Sequence, residues 1–264
     1  VLVDTHCHLD DPPLHDRLSA VLGRARDAGV TRVLVPGVRP AQWASIAAMR
    51  DAHPDTLAIA VGLHPQCLPE LDAPAVDVAC ASIVEAARRH GAVAIGECGL
   101  DRETTRAHGV SLERQASVLG AHCDAARVLG LPLVVHVQGA MGAALAFFEA
   151  RGPLPYGGVL HGFGGPAELV PRWAALGFSF GIGPPITWPR ARRPKEAARR
   201  VPRDRILLET DGPGTYVAGT LDRVGEPAQV RDVLGTLATL RGEDAESLAR
   251  ATTDNARRLF PAWA

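Results

Sequence analysis

The sequence predicts a (β/α)8 TIM barrel with extra helices at its C-terminal end, and three observations point there. Eight short apolar runs alternate with segments of helical periodicity along the chain. Nearly every run is continuously apolar, as expected of parallel strands buried on both faces. The length, 264 residues, suits a barrel formed as a single domain over positions 1–264. A doubly wound open sheet is the competing arrangement for the same alternation.

In chain order, Val1 to Val3 is the first expected strand, and Leu14 to Ala28 a helix ended by Gly29. Val33 to Val35 is strand two, followed by a helix over Ala41 to Arg50. Leu57 to Val61 is strand three, followed by an alanine-rich helix from Val76 to His90. Val93 to Ile95 is strand four, running into Gly96-Glu97-Cys98-Gly99-Leu100-Asp101. Ser111 is placed as the N-cap of a long helix reaching Leu129, with Gly130 just beyond its end. Leu133 to Val135 is strand five, ending at His136, and Ala140 to Ala150 the next helix. Gly158 to Leu160 is strand six, ending at His161, with helix Ala167 to Leu176 behind it. Phe178 to Gly181 is strand seven, with its helix over Arg190 to Arg200. Ile206 to Leu208 is strand eight, ending in Glu209-Thr210-Asp211. Helices near Pro227 to Leu240 and Ala245 to Arg250 follow, then a helical turn around Asn255 to Phe260.

Hydrophobic residues make up 47% and charged residues 22%, the balance of a globular enzyme. No apolar run approaches the ~18 residues of a membrane span, and no charged-then-apolar leader precedes the first strand. A cytoplasmic protein without membrane contact is expected, and a monomer. The five cysteines (Cys7, Cys67, Cys80, Cys98, Cys123) form no Cys-x-x-Cys pair, which predicts reduced thiols. The formal net charge of -1 excludes a whole-molecule field that drives tight non-specific binding to nucleic acid. A basic run from Arg190 to Arg205 stands out, either a solvated helix face or a rim for a polyanion. Its first part, Arg190 to Arg193, is expected near the carboxyl rim of the barrel, and Arg199 to Arg205 near the other end.

The polar residues after the strands form a pattern. His6 and His8 follow strand one, His64 strand three, Glu97 strand four, His136 strand five, His161 strand six and Asp211 strand eight. In a barrel these strand ends meet on one rim, where active sites are built. Side-chain alternation turns His6 and His8 to one side and Cys7 to the other, so Cys7 and Cys98 are expected to be packing residues. Four histidines, one glutamate and one aspartate at five strand ends are the donor types of a divalent-metal site.

This ordered set resembles the TatD family of metal-dependent hydrolases, within the amidohydrolase superfamily. The resemblance rests on Asp4-Thr5-His6-Cys7-His8, Gly62-Leu63-His64-Pro65, Gly96-Glu97-Cys98-Gly99-Leu100-Asp101, Leu131-Pro132 through His136, His161-Gly162-Phe163 and Glu209-Thr210-Asp211. The ending Thr253-Asp254-Asn255-Ala256-Arg257-Arg258-Leu259-Phe260 is also similar. His161-Gly162-Phe163 and Pro184 to Arg190 look closest to the YjjV-like branch. The resemblance implies two divalent ions, Zn2+, Mn2+ or Mg2+, with His6, His8 and Asp211 on one, His136 and His161 on the other, and Glu97 bridging them. The bridge is not a carbamylated lysine, because the chain's single lysine, Lys195, lies far from strand four.

Two divalent ions against two carboxylates leave a net positive site, which favours an anionic substrate such as a phosphodiester. Coordination lowers the pKa of water from ~15.7 toward ~7. Asp211 is then the candidate to orient that water and accept its proton. Glu97 and His64 complete the catalytic candidates, His64 as a hydrogen-bond donor to a phosphoryl oxygen or leaving group, with a structural role before Pro65 as its alternative. Asp4 and Asp101 are candidates to orient imidazoles.

The sequence departs from its relatives where His136-Val137-Gln138-Gly139 replaces a His-Ser-Arg stretch, and where the segment from Gly212 to Pro227 has only Arg223 as a cation. Such cations pair with phosphates. Three readings follow: a phosphodiesterase acting on DNA or nucleotides, a 3′-exonuclease as the resemblance implies; a hydrolase of C–N or carboxylic-ester bonds in a small molecule, favoured by the missing cations; and a metal-holding protein that binds a partner.

Overall fold

The computed structural model describes residues 1–263. Eight parallel strands run β1 (Leu2–Asp4), β2 (Val30–Pro36), β3 (Leu57–Val61), β4 (Ala94–Asp101), β5 (Leu133–Gln138), β6 (Gly158–Leu160), β7 (Phe178–Ile182) and β8 (Ile206–Leu208). They pair in sequence order. The backbone N–H and hydroxyl of Thr5 both donate to the Leu208 carbonyl (2.9 and 3.0 Å), bringing the last strand back to the first. This is the nearly closed (β/α)8 barrel that the alternation predicts, not an open sheet.

Period-two alternation divides the buried side chains. Leu57, Ile59 and Val61 of β3 pack outward under the helices, while Ala58 and Ala60 turn inward beside Val3, Leu34, Val134, Val159 and Leu207. Phe260 and Trp263 from the chain's C-terminal end join that inner cluster, and interior bulk of this kind makes a barrel a packed core, not a pore.

The helices are α1 (Leu18–Asp27), α2 (Pro40–Ala52), α3 (Ala73–Arg89), α4 (Arg102–His108), α5 (Leu112–Leu129), α6 (Met141–Arg151), α7 (Val170–Ala175), α8 (Arg192–Arg200), α9 (Val230–Arg241) and α10 (Ala245–Leu259). Several boundaries differ from those the sequence suggests. The first helix starts at Leu18, because His15–Arg17 form a 3-10 turn. The short helix α4 is additional: the Asp101 carboxylate caps it by accepting from the Glu103 N–H at 2.7 Å, and Gly109 ends it at φ 73°. The two helical pieces expected after position 245 are one helix. Its low-propensity middle is tied down by tertiary contact: Thr252 and Thr253 are buried, and the Thr253 hydroxyl donates to the Val1 carbonyl at 2.9 Å. Among the described residues, no helix is long and apolar enough to cross a membrane.

Strand β4 is longer than its apolar core, and its irregularity matters. Ile95 pairs with Leu133 and Cys98 with Val135, so three steps along β4 match two along β5. That bulge lies at Gly96-Glu97 and re-aims the Glu97 side chain. The approach is tight: a Cβ on Gly62 would sit 2.4 Å from the Gly96 carbonyl carbon, so only glycine lets β3 and β4 meet there.

His122 of α5 is a second device at the end of β3. Its Nε2 accepts from the Leu63 N–H at 2.9 Å, and its Nδ1 lies 2.8 Å from the Val118 carbonyl. Burial pushes this imidazole down to about 4. The unfolded chain therefore takes up a proton below ~6.5 that the folded chain refuses until about 4, so this contribution is lost as pH falls through that window. The stability gap between the wild type and His122→Ala should shrink by about 3 kcal/mol between about pH 7 and pH 4. Urea unfolding at both pH values checks this, and a pH-independent gap contradicts it.

Candidate metal centre at the carboxyl end of the barrel

Glu97 lies at the centre of the site, 2% exposed. Its two oxygens face different neighbours. Oε2 lies 3.3 Å from His6 Nε2 and 3.6 Å from His8 Nε2. Oε1 lies 2.8 Å from His161 Nε2, 3.1 Å from His64 Nε2 and 3.3 Å from His136 Nδ1. Asp211 Oδ1 completes the first side, 3.7 Å from His6 Nε2 and 3.6 Å from His8 Nε2. The structure thus brings together all seven site residues singled out in the sequence: His6, His8, His64, Glu97, His136, His161 and Asp211.

Local structure explains each placement. His6 and His8 follow β1 in an extended turn, held by His8 N–H to the Gly212 carbonyl and Asp211 N–H to the His6 carbonyl (both 2.8 Å). Asp211 sits at φ 51°, a left-handed conformation that points its carboxylate toward both histidines. Its other oxygen, Oδ2, accepts from the Thr215 hydroxyl at 3.0 Å. His136 lies within β5, opposite Gly99, and not beyond the strand's end as expected.

The donor set fits divalent ions. His6 and His8 present ring nitrogens to each other at 3.2 Å, and His136 and His161 do so at 2.9 Å, all around one carboxylate. Nitrogen and oxygen atoms about 2.0–2.2 Å from a common ion stand roughly 3 Å apart. Among the described residues, three groups have ligand atoms all within 4.8 Å of one another: His6, His161 and Asp211; His6, His8 and Glu97; and His64, Glu97 and His136.

His64 behaves differently from the others. Its Nδ1 accepts from the Gln66 N–H at 3.1 Å, which places the ring proton on Nε2. An Nε2 that bears a proton donates to Glu97 and has no lone pair for a metal.

Electrostatics follow from burial and neighbours. Burial alone would raise the Glu97 carboxyl, but the imidazoles of His64, His161 and His6 outweigh it and hold the group well below the usual carboxylate range. Asp211 is likewise held low against its burial, chiefly by His8. Burial works to lower His8, yet its hydrogen bond to Asp211 and the charge of Glu97 bring it up to about 9. His136 also rises to about 9, through Asp101 and Glu97. His6 goes the other way, to about 4, through burial and the neighbouring His161.

The surrounding shell is partly as expected. Asp101 Oδ2 approaches His136 Nε2 at 3.8 Å and accepts from the Gln66 side chain at 2.9 Å. Asp4 does not touch an imidazole: it accepts from the backbone N–H groups of His6 and Thr210 and from the Thr210 hydroxyl (3.1, 3.0 and 2.6 Å). It ties β1 to the end of β8 below the site, and burial raises it to about 7. Cys7 and Cys98 are buried and turn to backbone carbonyls of Gly212 and Val134, away from the donor groups. Glu209 is a residue the sequence reading missed. It accepts from the Gly162 N–H and lies 3.9 Å from His161 Nδ1. Its nearest hint is Gly181, where a Cβ would fall 1.9 Å from Glu209 Oε2.

The site opens into a cavity of about 600 Å³. None of the described residues from Arg190 to Arg205 lines it; the cation that does is Arg39, from the loop after β2. The second part of the run lies toward the start of β8, the end away from the site as expected, with Arg199 donating to the Leu240 carbonyl and Arg203 to the Ser247 hydroxyl.

Residues 3–261 match the family model described as TatD related DNase. The chain belongs to the TatD family. It is a metal-dependent hydrolase by that membership. It is 34% identical over 260 residues to the metal-dependent hydrolase YjjV of Escherichia coli (strain K12), covering 98% of this chain and 97% of the relative. The crystal structure of that Escherichia coli K12 homologue superimposes with a TM-score of 0.89 at 31% identity, covering 98% of each chain. A relative from Pantoea vagans (strain C9-1) named 3′-5′ ssDNA/RNA exonuclease TatD is 32% identical, over 91% of this chain and 92% of its own length.

Asp101 both caps α4 and approaches His136, and one substitution separates these roles. Asparagine caps as well as aspartate does, so Asp101→Asn should leave the thermal midpoint nearly unchanged. Losing the carboxylate beside His136 should weaken divalent-metal affinity about 10–100-fold. Calorimetric titration with Mn2+ and a thermal scan on the same protein check this; unaltered affinity contradicts the positioning role.

Proposed function

We propose that this protein is a two-metal phosphodiesterase that removes nucleotides from the 3′ end of single-stranded DNA. The observation that carries the reading is the division of Glu97, with Oε2 facing His6 and His8 and Oε1 facing His136 and His161. That division suits a carboxylate shared by two ions, one also held by His6, His8 and Asp211, the other by His136 and His161. Bound divalent ions supply Lewis acidity toward phosphoryl oxygens and acidify water. The nucleic-acid substrate is supported by the name of the Pantoea vagans relative.

The chain's own residues then have distinct tasks. Asp211, ionised at neutral pH and steadied at Oδ2 by Thr215, orients the attacking water through Oδ1 and accepts its proton. His64 keeps its proton on Nε2, its ring fixed by Gln66; this N–H donates to Glu97 in the free site and shifts to a phosphoryl oxygen or the leaving oxygen when substrate binds. Glu97 stays anionic throughout, which its low pKa permits.

Hydrolysis of a C–N or carboxylic-ester bond in a small molecule is the second reading, and the cavity wall favours it. Asp11, Glu70 and Glu103 line that wall against the single guanidinium of Arg39, a poor match for a long polyanion.

Degradation of 5′-labelled single-stranded DNA with Mg2+, Mn2+ or Zn2+ decides between them. Stepwise shortening from the 3′ end is expected, slowed about 10²-fold or more in Asp211→Asn. No cleavage by protein holding two ions, or equal cleavage by the variant, overturns the phosphodiesterase reading.

A further inference from the structure

We infer that Arg39 forms an anion subsite beside the metal centre, which takes a substrate phosphate other than the one being cleaved. The inference rests on the phosphodiesterase reading above and adds a determinant of substrate preference to it.

The position of Arg39 is fixed by the site itself. The two residues before it accept from the backbone of catalytic candidates: Gly37 O from the Glu97 N–H at 3.1 Å, and Val38 O from the His64 N–H at 2.9 Å. The loop after β2 is thereby fastened to the ends of β3 and β4, and Arg39 projects from it into the same cavity as Glu97, His64 and Asp211.

Its guanidinium is poorly satisfied there. Nη2 donates to the Cys67 thiol at 3.3 Å, a weak acceptor, and lies 3.4 Å from Glu70 Oε1. The Arg39 and Glu70 side chains are 40% and 52% exposed, so water screens the pair and it exchanges readily. Nε is buried and has no partner. A buried N–H without an acceptor is costly. A phosphate in the cavity does not reach the buried Nε; it meets the exposed Nη end of the planar guanidinium, which offers N–H donors to its oxygens.

The surroundings make the subsite selective. Among the described cavity-lining residues Arg39 is the one arginine or lysine; Glu70 and Asp11 act on it, and Glu103, paired with Arg106, lines the same cavity. One additional phosphate is therefore welcome at one place, and phosphates elsewhere along the wall meet carboxylates. This supplies from the loop after β2 the cation that His136-Val137-Gln138-Gly139 lacks.

The test uses the full-length, Mn2+-loaded protein and two dinucleotides that differ by one phosphate, d(TpT) and 5′-phosphorylated d(pTpT). The readout is the preference ratio, kcat/KM for d(pTpT) over kcat/KM for d(TpT). Arg39→Gln should lower this ratio about tenfold, as expected for one charge-assisted contact, chiefly through KM for d(pTpT). Arg39→Lys should retain part of the preference. Glu70→Gln should move the ratio the other way, because it releases Arg39 from its carboxylate; loss of fold does not produce opposite signs. An unchanged ratio in Arg39→Gln and Glu70→Gln, with both dinucleotides hydrolysed, overturns the subsite and spares the phosphodiesterase reading. Failure of the wild type to hydrolyse either dinucleotide overturns both.

Discussion

A carboxylate that is 2% exposed needs strong compensation, because an unpaired buried charge costs several kcal/mol. Glu97 has five imidazoles around it and no arginine or lysine paired with it among the described residues. The imidazoles stabilise the anion, and the anion sets their spacing. Everything close to the site serves this arrangement. The bulge in β4 aims Glu97 inward, Gly62 admits β4 close to β3, and the left-handed backbone at Asp211 brings a second carboxylate to the same side as His6 and His8.

The ring nitrogens of His136 and His161 that face Asp101 and Glu209 make no hydrogen bond, so packing and close polar neighbours hold these imidazoles. His122 reaches from α5 to the backbone at the end of β3, Gln66 selects the tautomer of His64, Asp101 supports His136, and Glu209 backs His161 from beneath. His122, Asp101 and Glu209 are buried, while Gln66 lies on the exposed turn after β3, so most donor positions are set before any ligand arrives. Such preorganisation is what lets a few side chains and metal ions act on a phosphate or carbonyl without reorganising the protein at each turnover.

Most of this centre was legible in the sequence because strand ends mark themselves. A short apolar run followed at once by a histidine or carboxylate places that side chain on the barrel rim, and His6, His8, His64, Glu97, His136, His161 and Asp211 were all found this way. What escaped was information held in tertiary contact. His122 sits inside a helix and gives no sign that its ring reaches another element. Arg39 follows a strand two residues late in a Gly-Val-Arg-Pro stretch, indistinguishable by pattern from a surface loop. Strand order placed Arg199 to Arg205 away from the site, but nothing in the density of the Arg190–Arg205 run told that its first part does not line the cavity. Asp4 shares a strand face with His6, yet its hydrogen bonds go to Thr210, a partner 206 residues away. Helix α4 was hidden because its cap, Asp101, also ends a strand motif.

The shared role of Glu97 is the central claim, and anomalous diffraction from crystals of the Mn2+-loaded protein tests it most directly. Two peaks are predicted, one on the Oε2 side among His6, His8 and Asp211, the other on the Oε1 side beside His136 and His161, with His64 bound to neither. A single peak, or an ion ligated by His64 in place of His136 or His161, would contradict it.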